Sequence, residues 1–305
     1  QNHIVHFATG ASGSGRAIDD RDLAASGVER PVPNCFEPRI PPGQHAMPDL
    51  GSMSPPGTGD LTTADCSVAI ETDFQLYQRV NSLGATASYV TQLMDAVSDQ
   101  YFTDVQTTIS IAYLGIYTTA ADPWTSQDSG GDASMLLNEF IGAWAPNNWP
   151  VTANLAHFIS GANLGGGIAY INVLCNSSFG FGVSGNISGN INWGGWTGQP
   201  GNLTWDFVVV AHEMGHNFGS QHTHDYCPPL DICYANCTGN PPVCSQGTLM
   251  SYCHVCGGMD NIDLHFHPVC ANHMRQSVNS SCLGLSALAP GDFVQYLVRF
   301  NPMTA

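Results

Sequence analysis

Eleven residues, His212 to His222, read His-Glu-Met-Gly-His-Asn-Phe-Gly-Ser-Gln-His. They constrain the fold more than any other stretch. His212 and His216 are four apart, so on a helix their imidazoles leave one face, one turn apart. The preceding run, Trp205-Asp206-Phe207-Val208-Val209-Val210-Ala211, is apolar enough to place that helix in a domain centre. Gly219 lets the chain leave the helix in a conformation that a Cβ disfavours, which swings His222 back towards the other two. Three neutral imidazoles suit zinc and leave a fourth position open for water. Glu213 stands beside the first of them, where a carboxylate can take a proton from that water. The pattern predicts metal-assisted hydrolysis. A bare His-Glu-x-x-His would not specify it; the added Gly219 and His222 at fixed spacing do.

The rest of the chain sets the surroundings. With 305 residues there is enough sequence for a sizeable core. The net charge is −17, only 10% of residues are charged, and all seven basic residues are Arg. That balance excludes nucleic acid and anionic membrane as expected partners, and is neutral towards a peptide. No apolar run has the length of a membrane span, and Gln1-Asn2-His3 does not open a signal peptide. Eleven Cys could reflect thiolate metal binding, and Cys253-His254-Val255-Cys256 is half of such a site. No matching second pair follows, and Cys227, Cys233, Cys237 and Cys244 are irregularly spaced. A disulfide framework, and hence an oxidising, extracellular setting, is the better account. Sequons occur at Asn176, Asn186, Asn202, Asn236 and Asn279, which matters in a source that glycosylates.

Along the chain, residues 1–60 are crowded with Gly and Pro and read as an extended segment lying on a domain. Strands are expected at Cys66–Asp73, Val105–Tyr117 and Gly165–Cys175, with a short strand or extended segment at Val151–Ile159. Helices are expected over Phe74–Gln100 with a break near Gly84, over Ser134–Trp144, through the His motif, and near Ala271–Val278. Residues 176–204 read as loops with room for one hairpin, and a Cys-rich irregular region follows the motif. The mixture is α/β (α+β). The domain is expected over 61–285, with an upper part to residue 222, a lower part from 223 and a tail over 286–305.

Together with Thr248-Leu249-Met250-Ser251-Tyr252, the His motif makes the chain resemble the metzincins, zinc endopeptidases with a Met turn. Within that clan it is most similar to the reprolysin (adamalysin) group and its microbial relatives. Supporting stretches are Val68–Asp73 with Leu76-Tyr77, Phe158-Ile159-Ser160-Gly161, Gly167-Ile168-Ala169-Tyr170 with Cys175, and Asn217 after the second ligand. The resemblance covers roughly residues 65 to 285. It implies a twisted five-stranded mixed sheet with two long helices above a cleft, and a small irregular, disulfide-rich subdomain below. A protein or peptide substrate would lie extended and antiparallel to the strand at Gly167, Ile168, Ala169 and Tyr170. His212, His216 and His222 would bind zinc, and Glu213 would be general base and later proton donor. Met250 would floor the metal, although a plain core Met would look much the same.

Three departures from the family pattern follow. Reprolysins usually carry Asp directly after the third His, whereas this chain has Thr223, with His224 and Asp225 next. The Met turn reads Met-Ser-Tyr, as in serralysins and astacins, so Tyr252 is either a fifth ligand or oxyanion stabiliser, or a packed aromatic. The family's calcium site maps onto Glu71, but its second acid aligns with Asn154. The resemblance also implies a Cys175–Cys282 disulfide. Cys35, in the Pro-rich segment, is either a zinc-blocking switch, as in related zymogens, or a disulfide partner, for example of Cys66. His254, His265, His267 and His273 read as loop or core histidines before a second metal site. The leading expectation is a secreted zinc endopeptidase. The alternative is a latent zymogen, or a non-catalytic adhesive or structural protein on the same scaffold.

Overall fold

The computed structural model describes residues 3–4, 62–128, 130–190, 205–287 and 299–300. Its strands are β1 (His3–Ile4), β2 (Thr62–Thr72), β3 (Thr107–Gly115), β4 (Leu155–Ile159), β5 (Gly167–Ala169), β6 (Phe181–Ser184), β7 (Leu285–Ala287) and β8 (Arg299–Phe300). The helices used below are α1 (Phe74–Val80), α2 (Leu83–Val105), α3 (Ala133–Trp144), α4 (Trp205–Asn217), α5 (His254–Gly257) and α6 (Pro268–Ser280).

Five strands form the expected mixed sheet in the order β3-β2-β4-β6-β5. β2, β3, β4 and β6 run parallel, and β5 is antiparallel to β6. β7 joins the start of β2, pairing Ala287 with Thr62, so the first residues of the expected tail are in the sheet. β1 and β8 pair with each other.

Both faces of the sheet are covered, so the centre of β2, Val68-Ala69-Ile70, is apolar and buried on both sides. Side chains alternate across it. Val68, Ile70, Leu155 and Ile159 pack under α2, α4 and α6. Ala69, Ala156, Phe158, Phe181 and Val183 face α3, where Phe140 meets Phe158 and Phe181 edge-on. Tyr101 of α2 donates to Ala211 O of α4 at 2.8 Å and packs edge-on against Phe218 and Phe266. These contacts hold α4 in the domain centre, with every residue from Asp206 to Asn217 buried.

One expectation is sharpened and two are corrected. The helix break expected near Gly84 lies at Asn81–Ser82: Asn81 ends α1 at φ +60 and the Ser82 hydroxyl caps α2 through Ala85 N. A left-handed Asn and an N-cap Ser outweigh a glycine, which a helix tolerates. The strand expected over Gly165–Cys175 is only Gly167–Ala169. Beyond it Asn172 and Cys175 have positive φ, and Asn172 N and Val173 N donate to His216 O and Asn217 O at 2.9 Å each. That segment leaves the sheet to satisfy carbonyls at the end of α4. β6 lies within the residues read as loop, because a four-residue strand containing Gly182 gives little periodic signal.

The disulfide framework is present. Cys175–Cys282 forms as the resemblance implied, and Cys227–Cys237, Cys233–Cys253 and Cys244–Cys256 tie the region after the motif. Cys253 and Cys256 are therefore not half of a metal site. Cys66 and Cys270 are buried thiols. Cys35 lies outside the described residues. Among the described residues no helix is long and apolar enough to cross a membrane.

Candidate active site

α4 carries His212, Glu213 and His216 on its buried side, and Gly219 turns the chain out of the helix at φ +103. Gly219 N donates to His216 O and Ser220 N to Gly215 O. This left-handed exit, which glycine takes without strain, returns His222 to the helix. His216 Nε2 lies 3.2 Å from His212 Nε2 and 3.1 Å from His222 Nε2.

Each ring's other nitrogen has an acceptor. His212 Nδ1 meets Leu249 O at 2.7 Å, His216 Nδ1 meets Ser220 O at 2.8 Å, and His222 Nδ1 meets Asp225 Oδ2 at 2.9 Å. With the ring protons held at Nδ1, the three Nε2 atoms turn their lone pairs towards one point. Lone pairs so close repel unless a cation lies between them, and tetrahedral zinc at its usual Zn–N length needs nitrogens about 3.3 Å apart. The donor set fits zinc. Burial holds the imidazoles neutral: it pushes His212 well below 6.5, His216 down to about 3 and His222 down to about 4.

Glu213, the β5 residues, Met250 and Tyr252 fall around this point. Glu213 is fully buried, and β5 lies against it: a Cβ on Gly167 would sit 2.5 Å from Glu213 Oε1. Ile168 and Ala169 are buried, and Tyr170, just past the strand, accepts from Asn217 Nδ2 at 2.9 Å. Met250 packs under α4, so closely that a Cβ on Gly215 would lie 2.5 Å from its Sδ. The Tyr252 ring stands 4.5 Å from that of His222 and 6.1 Å from that of His212, with Tyr234 edge-on at 5.1 Å.

Glu71 is elsewhere. Its carboxyl is enclosed beside Tyr113, Tyr117 and Trp124, and burial pushes it up to about 8. Asn154 instead accepts from Ser67 N and Oγ, four residues earlier on β2, a distance of about 13 Å along a strand. The two residues expected to share calcium are not together, and calcium gains no support.

Sequence reasoning missed the acceptors. Leu249 O and Ser220 O are backbone atoms with no residue signature. Asp225 had one: it lies three residues after His222, one turn of the 3-10 segment Thr223–Asp225. Among the described residues, His222, His224 and Asp225 also cluster, as do Asp231, Cys233 and Cys253, but the last two sulfurs are bonded to each other.

A comparison with curated proteins finds none that matches. Among solved structures, a metalloproteinase-II from Bacteroides fragilis is 13% identical with a TM-score of 0.39, over 77% of this chain and 59% of that one. A chain from a chaperone-substrate complex is 14% identical with a TM-score of 0.36, over 70% of this chain and 34% of that one. This chain thus spans less than two thirds of either. The family model for reprolysin-like metallo-peptidases of family M12 matches residues 62–262, which include strands β2 to β6, the triad and the Met turn. The chain belongs to metallo-peptidase family M12, with its reprolysin-like match over residues 62–262.

Proposed function

We propose that this metallopeptidase is a secreted, zinc-dependent endopeptidase whose substrate lies extended along β5, with Glu213 as general base. The family and the triad imply zinc. The observation that carries the reading is the convergence of three Nε2 atoms, 3.1 and 3.2 Å from the central one, beside a buried glutamate.

Zinc held by the triad supplies a Lewis acid that polarises a carbonyl and lowers the pKa of water. The protein's residues do the rest. Glu213 takes a proton onto its carboxylate and later delivers it to the leaving nitrogen. β5 ends the sheet, so its outer backbone groups can pair with an antiparallel peptide. Gly167 lets that strand approach Glu213, which brings a paired peptide to the base. The Tyr252 hydroxyl donates to the oxyanion, a role supported by its ring's position against two ligand imidazoles. Four disulfides in the described residues favour an extracellular setting.

The test is zinc content together with digestion of a mixed peptide library by wild type and Glu213→Ala. One zinc per chain in both, internal cleavage by wild type and none by the variant are expected. Trimming from peptide ends alone, or cleavage that survives Glu213→Ala, refutes the reading.

A further inference from the structure

We propose that Asp225 is a positioning residue for the third metal ligand, and that the chain's hold on the metal depends on this side chain. The proposal rests on the zinc reading above. The three ligands are held differently. His212 and His216 share one rigid helix, and their Nδ1 atoms meet backbone carbonyls that persist whatever the local side chain. His222 lies past the helix in extended backbone, φ −62 and ψ 150. Its Nδ1 acceptor is the carboxylate of Asp225, the one charged side chain among the three acceptors.

Asp225 is itself held in place. Its Oδ1 lies 3.6 Å from His224 Nε2, so the carboxylate spans two imidazoles. His224 stacks on His222 with ring centres 5.0 Å apart and planes only 5° from parallel, which prevents the His222 ring from tilting. The turn bearing both is pinned from below: Thr223 N donates to Met250 O at 3.0 Å, Leu230 N donates to Thr223 O at 2.9 Å, and the Thr223 hydroxyl meets Asp231. A carboxylate on Nδ1–H fixes the tautomer that exposes Nε2 and increases the electron density it offers to a cation. It also adds a negative charge to a site whose other two outer acceptors are neutral. The Asp225 side chain is 41% exposed, so water can replace part of this support. The effect is therefore on metal retention and not on folding.

Wild type, Asp225→Asn and Asp225→Ala would be compared with Asp260→Asn, which removes an equal charge from an exposed position in the same region. The readouts are the rate of zinc release to excess chelator, the visible spectrum after cobalt(II) substitution, and the melting temperature without metal. Outer partners of ligating histidines typically contribute 10–100-fold in metal affinity. Zinc release about 10-fold or more faster in Asp225→Ala is expected. Asp225→Asn, which keeps an acceptor but not the charge, should be intermediate, with a shifted cobalt spectrum. Asp260→Asn should match wild type, and the metal-free melting temperatures should agree. Zinc release from Asp225→Ala within about twofold of wild type would overturn the proposal and leave the peptidase reading intact. Failure of wild type itself to bind zinc would overturn that reading.

Discussion

Glu71 is a buried carboxyl that the fold destabilises when ionised, and replacing it with Gln should stabilise the protein. It is 1% exposed. Burial is the largest cause of its rise from 4.5 to about 8, and the nearby Asp122 charge adds to it. Tyr113, Tyr117 and Trp124 face the carboxyl and oppose that rise only in part. Between these two pH values the folded chain keeps the proton and the unfolded chain releases it. The folded state then binds more protons, so stability falls as pH rises through this window and levels off above it. At about 1.4 kcal/mol per pH unit, the cost at pH 7 approaches about 3 kcal/mol, and above pH 9 about 5 kcal/mol. Glu71→Gln removes the ionisation but brings an amide NH2 that needs an acceptor, which costs about 1–2 kcal/mol. A net gain of about 1–2 kcal/mol at pH 7 follows, growing from pH 5 to pH 9. Denaturant unfolding of oxidised protein at pH 5, 7 and 9, with zinc held constant, measures it. A difference between variant and wild type that stays flat with pH would refute the argument. So would stabilisation of wild type alone by millimolar calcium, because that would mean an ionised, metal-bound Glu71.

Two further outcomes follow from the geometry. Gly167→Ala would bring a methyl to 2.5 Å from Glu213 Oε1, so kcat should fall about 10–100-fold with zinc content unchanged; steady-state kinetics and metal analysis would check both. Replacing Cys175 and Cys282 together by Ser opens a 107-residue loop and should cost about 4 kcal/mol of stability; a Tm within a degree of wild type would contradict this.

The histidine triad was readable in the sequence because two of its members are side chains at helix spacing, followed by one glycine whose conformation, φ +103, is the one its position demands. The parallel strands were readable because β2 and β3 are long and mostly buried. What was not readable depends on backbone atoms or on distant partners. β5 ends at Ala169 because a helix terminus needs the next few amides, and nothing within Tyr170–Cys175 announces that demand. The three disulfides after the motif could not be paired from spacing, since connectivity is a property of the fold. Asn154 matched a calcium position by alignment, yet its amide is committed to Ser67. Asp225 is the intermediate case: the acid stands three residues after His222 instead of directly after it, and the 3-10 turn is what carries it back to His222.

One set of hydrogen bonds explains why the strand beside Glu213 and the three histidines keep a fixed relation. An α-helix leaves its last four carbonyls without helical partners. In α4, Met214 O accepts from Phe218 N, Gly215 O from Ser220 N, His216 O from both Gly219 N and Asn172 N, and Asn217 O from Val173 N. The left-handed Gly219 supplies its own amide and sets up that of Ser220; the segment leaving β5 supplies two more. Asn217 Nδ2 adds bonds to Tyr170 O and Phe181 O, on either side of that segment. Ser220 then turns its carbonyl to His216 Nδ1. The turn that delivers His222 thus also orients His216, and the residues that end β5 close the helix carrying His212 and His216. The strand cannot shift relative to the histidine triad without leaving buried carbonyls unpaired, at about 1–3 kcal/mol each. The position of Glu213 beneath Gly167 is therefore a consequence of how the helix ends.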